Sequence, residues 1–189
     1  MRPGRWLRLS MAAGVGYGLL NVLAAIWNRS LWFAVVAGYY LMLSAIRLLL
    51  IRREGAPAAL RWKTVRQSGW LLLALTGVIG GMSVYALALG RAATYPGHLI
   101  YGAAAYTFYA LTMAIVQLVR QRRQPLWWAA KSISLTCGLV SLFFLENALL
   151  AAFGSGESWQ RPMQQATAAG VFLFSAAMAV HMICKKDRE

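Results

Sequence analysis

Acid is nearly missing from this chain: five Asp and Glu stand against 19 Lys and Arg in 189 residues, a formal net charge of +14. Charge of either sign is scarce, at 13% of residues against 60% hydrophobic. Soluble domains carry about a quarter charged residues, so a water-soluble fold is excluded, and a mean hydropathy of +0.55 describes a chain dissolved in lipid. The basic excess does not point to nucleic acid, because that reading needs a polar face to carry the charge. Here the cations sit in short clusters between long apolar runs, and no nucleic-acid partner is expected. Metal ligands are equally sparse. Cys137, Cys184, His98 and His181 are the only soft ones, the cysteines show no CxxC spacing, and a closed zinc site would need all four to converge from separate helices. No metal and no cofactor is expected. Catalytic motifs are absent too: there is no HExxH, GxxxxGK[ST] or GxSxG, Gly154 to Ser158 reads as a flexible turn, and Asp187 is the only aspartate. Nothing in the sequence argues for an enzyme, and no catalytic residue is assigned.

What the chain does have is length of apolar run. A helix needs about 20 apolar residues to cross a hydrocarbon core about 30 Å thick. Six stretches qualify, at 9–27, 31–51, 70–90, 97–119, 126–153 and 163–183. Nothing alternates like a barrel strand, and lipid offers no partner to an open backbone. The fold class is therefore all-α, a polytopic membrane helical bundle with six transmembrane helices in a single membrane domain, 1–189, and no soluble domain. Arg2, Arg5 and Arg8 precede the first run as they would in a secretory signal. That run exceeds a signal core of about 7–15 residues and ends in Trp27, Asn28 and Arg29, so it reads as a retained helix.

Basic residues set the orientation. The amino terminus holds Arg2, Arg5 and Arg8; the connector at about 52–69 holds Arg52, Arg53, Arg61, Lys63 and Arg66; the fourth connector holds Arg120, Arg122 and Arg123; the tail holds Lys185, Lys186 and Arg188. The other three turns carry one cation each, Arg29, Arg91 and Arg161. Both termini are expected in the cytoplasm, in a bacterial plasma membrane, with the clusters facing anionic headgroups. Trp6, Trp62, Trp70, Trp127 and Trp128 fall near the inner interface, and Trp27, Trp32 and Trp159 near the outer one. The stretch Arg61 to Arg66 reads either as a short interfacial helix or as an ordinary topology-setting loop.

Internal similarity suggests repetition. Tyr40, Ala45, Ile46, Leu49 and Arg53 match Tyr109, Ala114, Ile115, Leu118 and Arg122 at a spacing of 69. Met113, Ala114 and Ile115 return as Met178, Ala179 and Val180 at 65, and Gly14 and Gly18 return as Gly77 and Gly81 at 63. Three copies of a two-helix hairpin account for this, and shared hydropathy is the competing account. Gly14, Gly18, Gly77, Gly81, Gly102 and Gly138 are expected to let helix backbones approach closely, within the bundle or at a dimer face.

Intramembrane ionisable groups are functional candidates by default. Glu146 is the only acid inside a span and is followed by Asn147; Asn21 and Ser83 fall at similar depth. Arg29, Arg91 and Arg161, on the same side, are its candidate ion-pair partners. Glu146 is then either a clamp tying the fifth helix to an outer turn or a proton or cation site with Asn147 and Asn21. Arg47, Lys131, Gln117 and His181 lie toward the inner face, where the two long cations are expected to snorkel to headgroups. His98 opens the fourth helix, where it reads as a wet cap. Tyr101, Tyr106, Thr107, Phe108, Tyr109 and Thr112 give that helix a polarisable wall, for a solute path or for helix contact.

The stretches Ser30 to Arg53, Tyr95 to Arg123 and Ala129 to Gly154, with YPG, AYTFYALTMAIV and LVSL within them, resemble uncharacterised multi-pass membrane proteins of Firmicutes and related bacteria. That resemblance implies location and architecture and brings no established activity. The expectation is a small transporter or permease-like protein; the alternative is a non-transporting partner subunit or scaffold, with a membrane-protein partner or a homo-oligomer.

Overall fold

The structure, a computed structural model, describes residues 4–53, 55–88, 97–119, 125–153 and 158–184. They form six helices and nothing else: α1 Gly4–Asn28, α2 Leu31–Arg52, α3 Ala58–Ala88, α4 Gly97–Val119, α5 Pro125–Phe153 and α6 Gln160–Cys184. All but α4 are long and apolar enough to span a membrane by length and composition; in α4 the apolar stretch Ile100–Val116 is shorter. Large apolar side chains point outward along the bundle, among them Leu23, Ile26, Val84, Ile115 and Leu173. Water would penalise that surface and lipid does not. The chain is an all-α six-helix bundle of multi-pass membrane type.

The connector expected at 52–69 is mostly helix. After Pro57, α3 starts at Ala58 and runs 31 residues, about 46 Å at 1.5 Å per residue. Its basic first turns, with Arg61, Lys63 and Arg66, are therefore continuous with the span and project beyond a core about 30 Å thick. The α1–α2 turn is tight because Arg29 adopts φ 48. The Arg29 amide donates to the Ile26 carbonyl at 3.4 Å and the Ser30 amide to the Ala25 carbonyl at 3.1 Å. These are the two bonds of a Schellman cap, closed by a residue in the left-handed region.

Helix pairing departs from three sequential hairpins. Among the described residues the close pairs are α1 with α2, α4 with α5, and α3 with α6, while α3 and α4 are not a packed pair. Small residues decide this. A methyl at Gly69 in α3 would lie 2.9 Å from Ile183 Cγ1 and 3.1 Å from the Ala179 carbonyl oxygen of α6, so the backbones meet there because no side chain intervenes. Gly77, Gly81 and Gly102, expected at such contacts, have open space where a Cβ would be. Helix α5 occupies the centre, packing against α2, α3, α4 and α6, and it buries Ala129, Ile133, Cys137, Val140, Phe144 and Ala148 along one face.

Candidate functional site

Polar residues inside the spans fall into two groups by where their donors go. Ser44, Thr76, Ser83, Ser141 and Ser175 each donate to the carbonyl four residues back, at 2.7–2.8 Å; Thr107 does so too, at 2.8 Å, and also lies 3.2 Å from the Ser141 carbonyl of α5. Such hydroxyls satisfy themselves within their own helix and need no site to explain them. The second group reaches across helices, and it converges where α1, α2, α4 and α5 meet. Tyr40 on α2 and Ser141 on α5 share a hydrogen bond of 2.7 Å. Ser141 spends its single proton on the Cys137 carbonyl, so Tyr40 is the donor. Tyr106 of α4 lies 3.4 Å from Cys137 Sγ of α5.

Arg47 is the charge in this cluster. It is only 2% exposed, its Nη1 donates to the Ser10 carbonyl of α1 at 3.1 Å, and its guanidinium faces Tyr106 and Cys137. The expected snorkelling does not occur. Cα–Cβ bonds tilt toward a helix's own N-terminus, which aims Arg47 back along α2 and into the bundle, where it meets Ser10 near the start of α1. A charge inside a span is costly, by about 2.5–3.5 kcal/mol at the centre and less toward the ends, and among the described residues no carboxylate is paired with this one. Its Nε and the hydroxyls of Tyr39 and Tyr109 are buried without a hydrogen-bond partner among the described residues.

An aromatic collar holds the cluster. The Tyr17 and Tyr106 rings stack at 4.1 Å with an interplanar angle of 5°. Tyr40 meets both edge-on, at 4.8 and 5.1 Å, and Tyr39 meets Tyr40 at 5.2 Å. Gly14 completes the wall: a Cβ there would sit 2.6 Å from Ser44 Oγ and 3.2 Å from Arg47 Nη1. The spacing Tyr40, Ser44, Arg47 along one face of α2 was the signal available in the sequence. The aromatic wall expected on α4 divides instead. Tyr106 and Thr107 are buried, whereas Tyr101 (78% exposed), Phe108 (68%) and Thr112 face outward.

The residues expected from the sequence lie elsewhere. Glu146 is half-buried and accepts a hydrogen bond from Thr167 of α6 at 3.2 Å. Among the described residues it forms no ion pair with Arg29 or Arg161, and Arg91 lies outside them. Asn147 donates to the Phe143 carbonyl and Asn21 to the Tyr17 carbonyl, each at 2.8 Å, so both amides close on their own helices. Asn21 also borders a small void with Tyr17, Phe33 and Ala103. Cys137 is buried and Cys184 exposed, His181 packs its ring on Trp128 at 5.0 Å, and Lys131 is half-buried. The side chains of His98 and Gln117 are outside the described residues. Among those described, no three His, Cys, Asp or Glu residues gather as a metal site would require.

A second feature is an open groove of about 850 Å³ along α3 and α6, floored by Thr76, Gly77, Gly80, Ala168 and Phe172. It is almost wholly apolar and lies on the outside of the bundle, apart from the Arg47 cluster. Comparison of the chain with family models, with curated proteins and with solved structures gives no match.

Proposed function

We propose that this protein is a small transporter or permease-like carrier of a bacterial plasma membrane, with both termini in the cytoplasm and its solute site inside the bundle. One observation carries the reading: Arg47 is buried between four helices, in a cluster where the hydroxyls of Tyr39 and Tyr109 have no hydrogen-bond partner among the described residues. A charge so costly to bury is retained where it meets something that passes through. Glu146 with Thr167, and Asn21 beside its void, supply further polar steps along the spans. The test is flux. Purified protein in liposomes is expected to move a small solute down its gradient, and Arg47→Gln is expected to stop that movement; proteoliposomes no leakier than empty vesicles across a panel of small solutes would remove the reading.

The rival, a non-transporting partner subunit, draws support from the α3–α6 groove. Its glycine and alanine floor suits a close-packing helix from another membrane protein or a second copy of the chain. Co-purification of one stoichiometric membrane protein, lost on Gly77→Leu, would favour it.

A further inference from the structure

We propose that the Arg47 cluster binds a small monoanion, a halide or a short monocarboxylate; this deepens the carrier reading and rests on it for its role in transport, though not for binding itself. The donor set makes the argument. One guanidinium, with Nε unpartnered among the described residues, lies beside the Tyr106 hydroxyl and the Cys137 thiol, and the hydroxyls of Tyr39 and Tyr109, whose rings pack on Tyr40 and Tyr106, are buried without a partner there. These are all groups that donate to an anion while remaining neutral. No carboxylate is among them, so one positive charge stands ready for one negative charge. Size follows from the walls. Gly14 leaves no room for even a methyl beside Ser44 and Arg47 Nη1, and stacked Tyr17 and Tyr106 close the adjoining side. The cluster is filled at Gly14, so an anion enters only where a side chain yields its place beside Arg47, which favours ions of a few atoms, and a guanidinium matches a carboxylate through paired hydrogen bonds.

The experiment is thermal unfolding of the full chain in detergent, in sodium chloride, formate, acetate or gluconate at constant ionic strength. Binding to the folded state raises the midpoint in proportion to occupancy. The three small anions are expected to raise it saturably by about 4 °C over gluconate, which is too bulky to enter. Arg47→Gln is expected to abolish the difference. Should that variant fail to fold, Tyr109→Phe and Arg47→Lys are expected to fold and to shift half-saturation about tenfold, because each removes one donor contact. An equal midpoint in all four salts, or a difference that survives Arg47→Gln, overturns the site. Saturable binding without flux in liposomes leaves the site standing and removes the carrier. Flux of a neutral solute that ignores both the anion and Arg47→Gln keeps the carrier and removes the site.

A separate observation carries a second inference. Exchanging α1, α2 and α3 for α4, α5 and α6 maps the packing onto itself: α1–α2 becomes α4–α5, α2–α3 becomes α5–α6, and α3–α6, α2–α5 and α1–α4 map onto themselves. The sequence follows. Pro3-Gly4 and Pro96-Gly97 recur at a spacing of 93, Leu31-Trp32 and Leu126-Trp127 at 95, and Gly77-Val78 and Gly170-Val171 at 93. Three helices per half make the second half inverted, so the relating axis lies in the membrane plane. One contact breaks the symmetry: α3 packs against α5, and α2 has no comparable packing against α6. We infer that the chain has a second state in which these two contacts exchange. Ile79 of α3 and Phe144 of α5 border one small cleft, and their mates are Phe172 and Leu49. In a Cys184→Ser background, paired Leu49→Cys and Phe172→Cys substitutions are expected to cross-link under oxidant, as are Ile79→Cys and Phe144→Cys. Cross-linking of the Ile79–Phe144 pair alone overturns the inference.

Discussion

At Gly14 a single methyl decides between packing and collision. Alanine there places Cβ 2.6 Å from Ser44 Oγ, and overpacking of a filled site costs about 1–3 kcal/mol. Gly14→Ala is therefore expected to lower the unfolding midpoint, and adding Ser44→Ala to restore part of it, a coupling that a double-mutant cycle in detergent measures. Gly16→Ala is the counterpart: nothing lies within 4 Å of its Cβ position, so replacing glycine within the helix is expected to gain about 0.5–1 kcal/mol. Glu146→Gln keeps the oxygen that accepts from Thr167 and removes the charge. Folded yield is expected to hold while solute flux is lost; a collapse in yield would make Glu146 a structural clamp. That Glu146 is the one acid within the apolar runs was legible in the sequence; its hydrogen bond with Thr167 was not. The burial of Arg47 was not, because its position five residues from the end of α2 reads as reach to the interface, and only the tilt of Cβ along the helix reverses that.

Between elements, turns and crossings carry the information. Arg29 closes the Schellman cap in a conformation that L-residues other than glycine adopt at a cost of about 1–2 kcal/mol. Arg29→Gly is expected to raise the unfolding midpoint of the full chain, and an unchanged midpoint would show that the arginine earns its place through its charge. At the α3–α6 crossing, Gly69→Val is expected to lower the midpoint by forcing Ile183 and the Ala179 backbone away. The six helices were readable from hydropathy because five of the apolar runs are long enough to cross a bilayer and the sixth, Ile100–Val116 in α4, is only somewhat shorter. Where α3 begins was not, since Arg61 to Arg66 looks like a loop by charge, and helical propensity carries on through basic residues. Pairing was hidden as well: it depends on which small residues face each other, and Gly69 drew no notice beside the more regular Gly77 and Gly81.

For the whole molecule, lipid sets the first constraint and the contact between the two halves sets the second. Sequential hairpins would leave α3 beside α4, whereas the bundle places α5 at its centre and joins α3 to α6, so each half is completed by the other. The proposed orientation rests on the clustered cations, Arg52 and Arg53 at one end of α2 and the lone Arg29 at the other. In a Cys184→Ser background, with Cys137 buried, a membrane-impermeant maleimide added to intact cells is expected to label Arg29→Cys and to leave Arg53→Cys unlabelled until the membrane is opened. Both positions are described and exposed, so burial does not explain a difference between them. Labelling in the reverse order would turn the bundle over in the membrane without disturbing its packing, and labelling of both from outside would remove the helix that separates them.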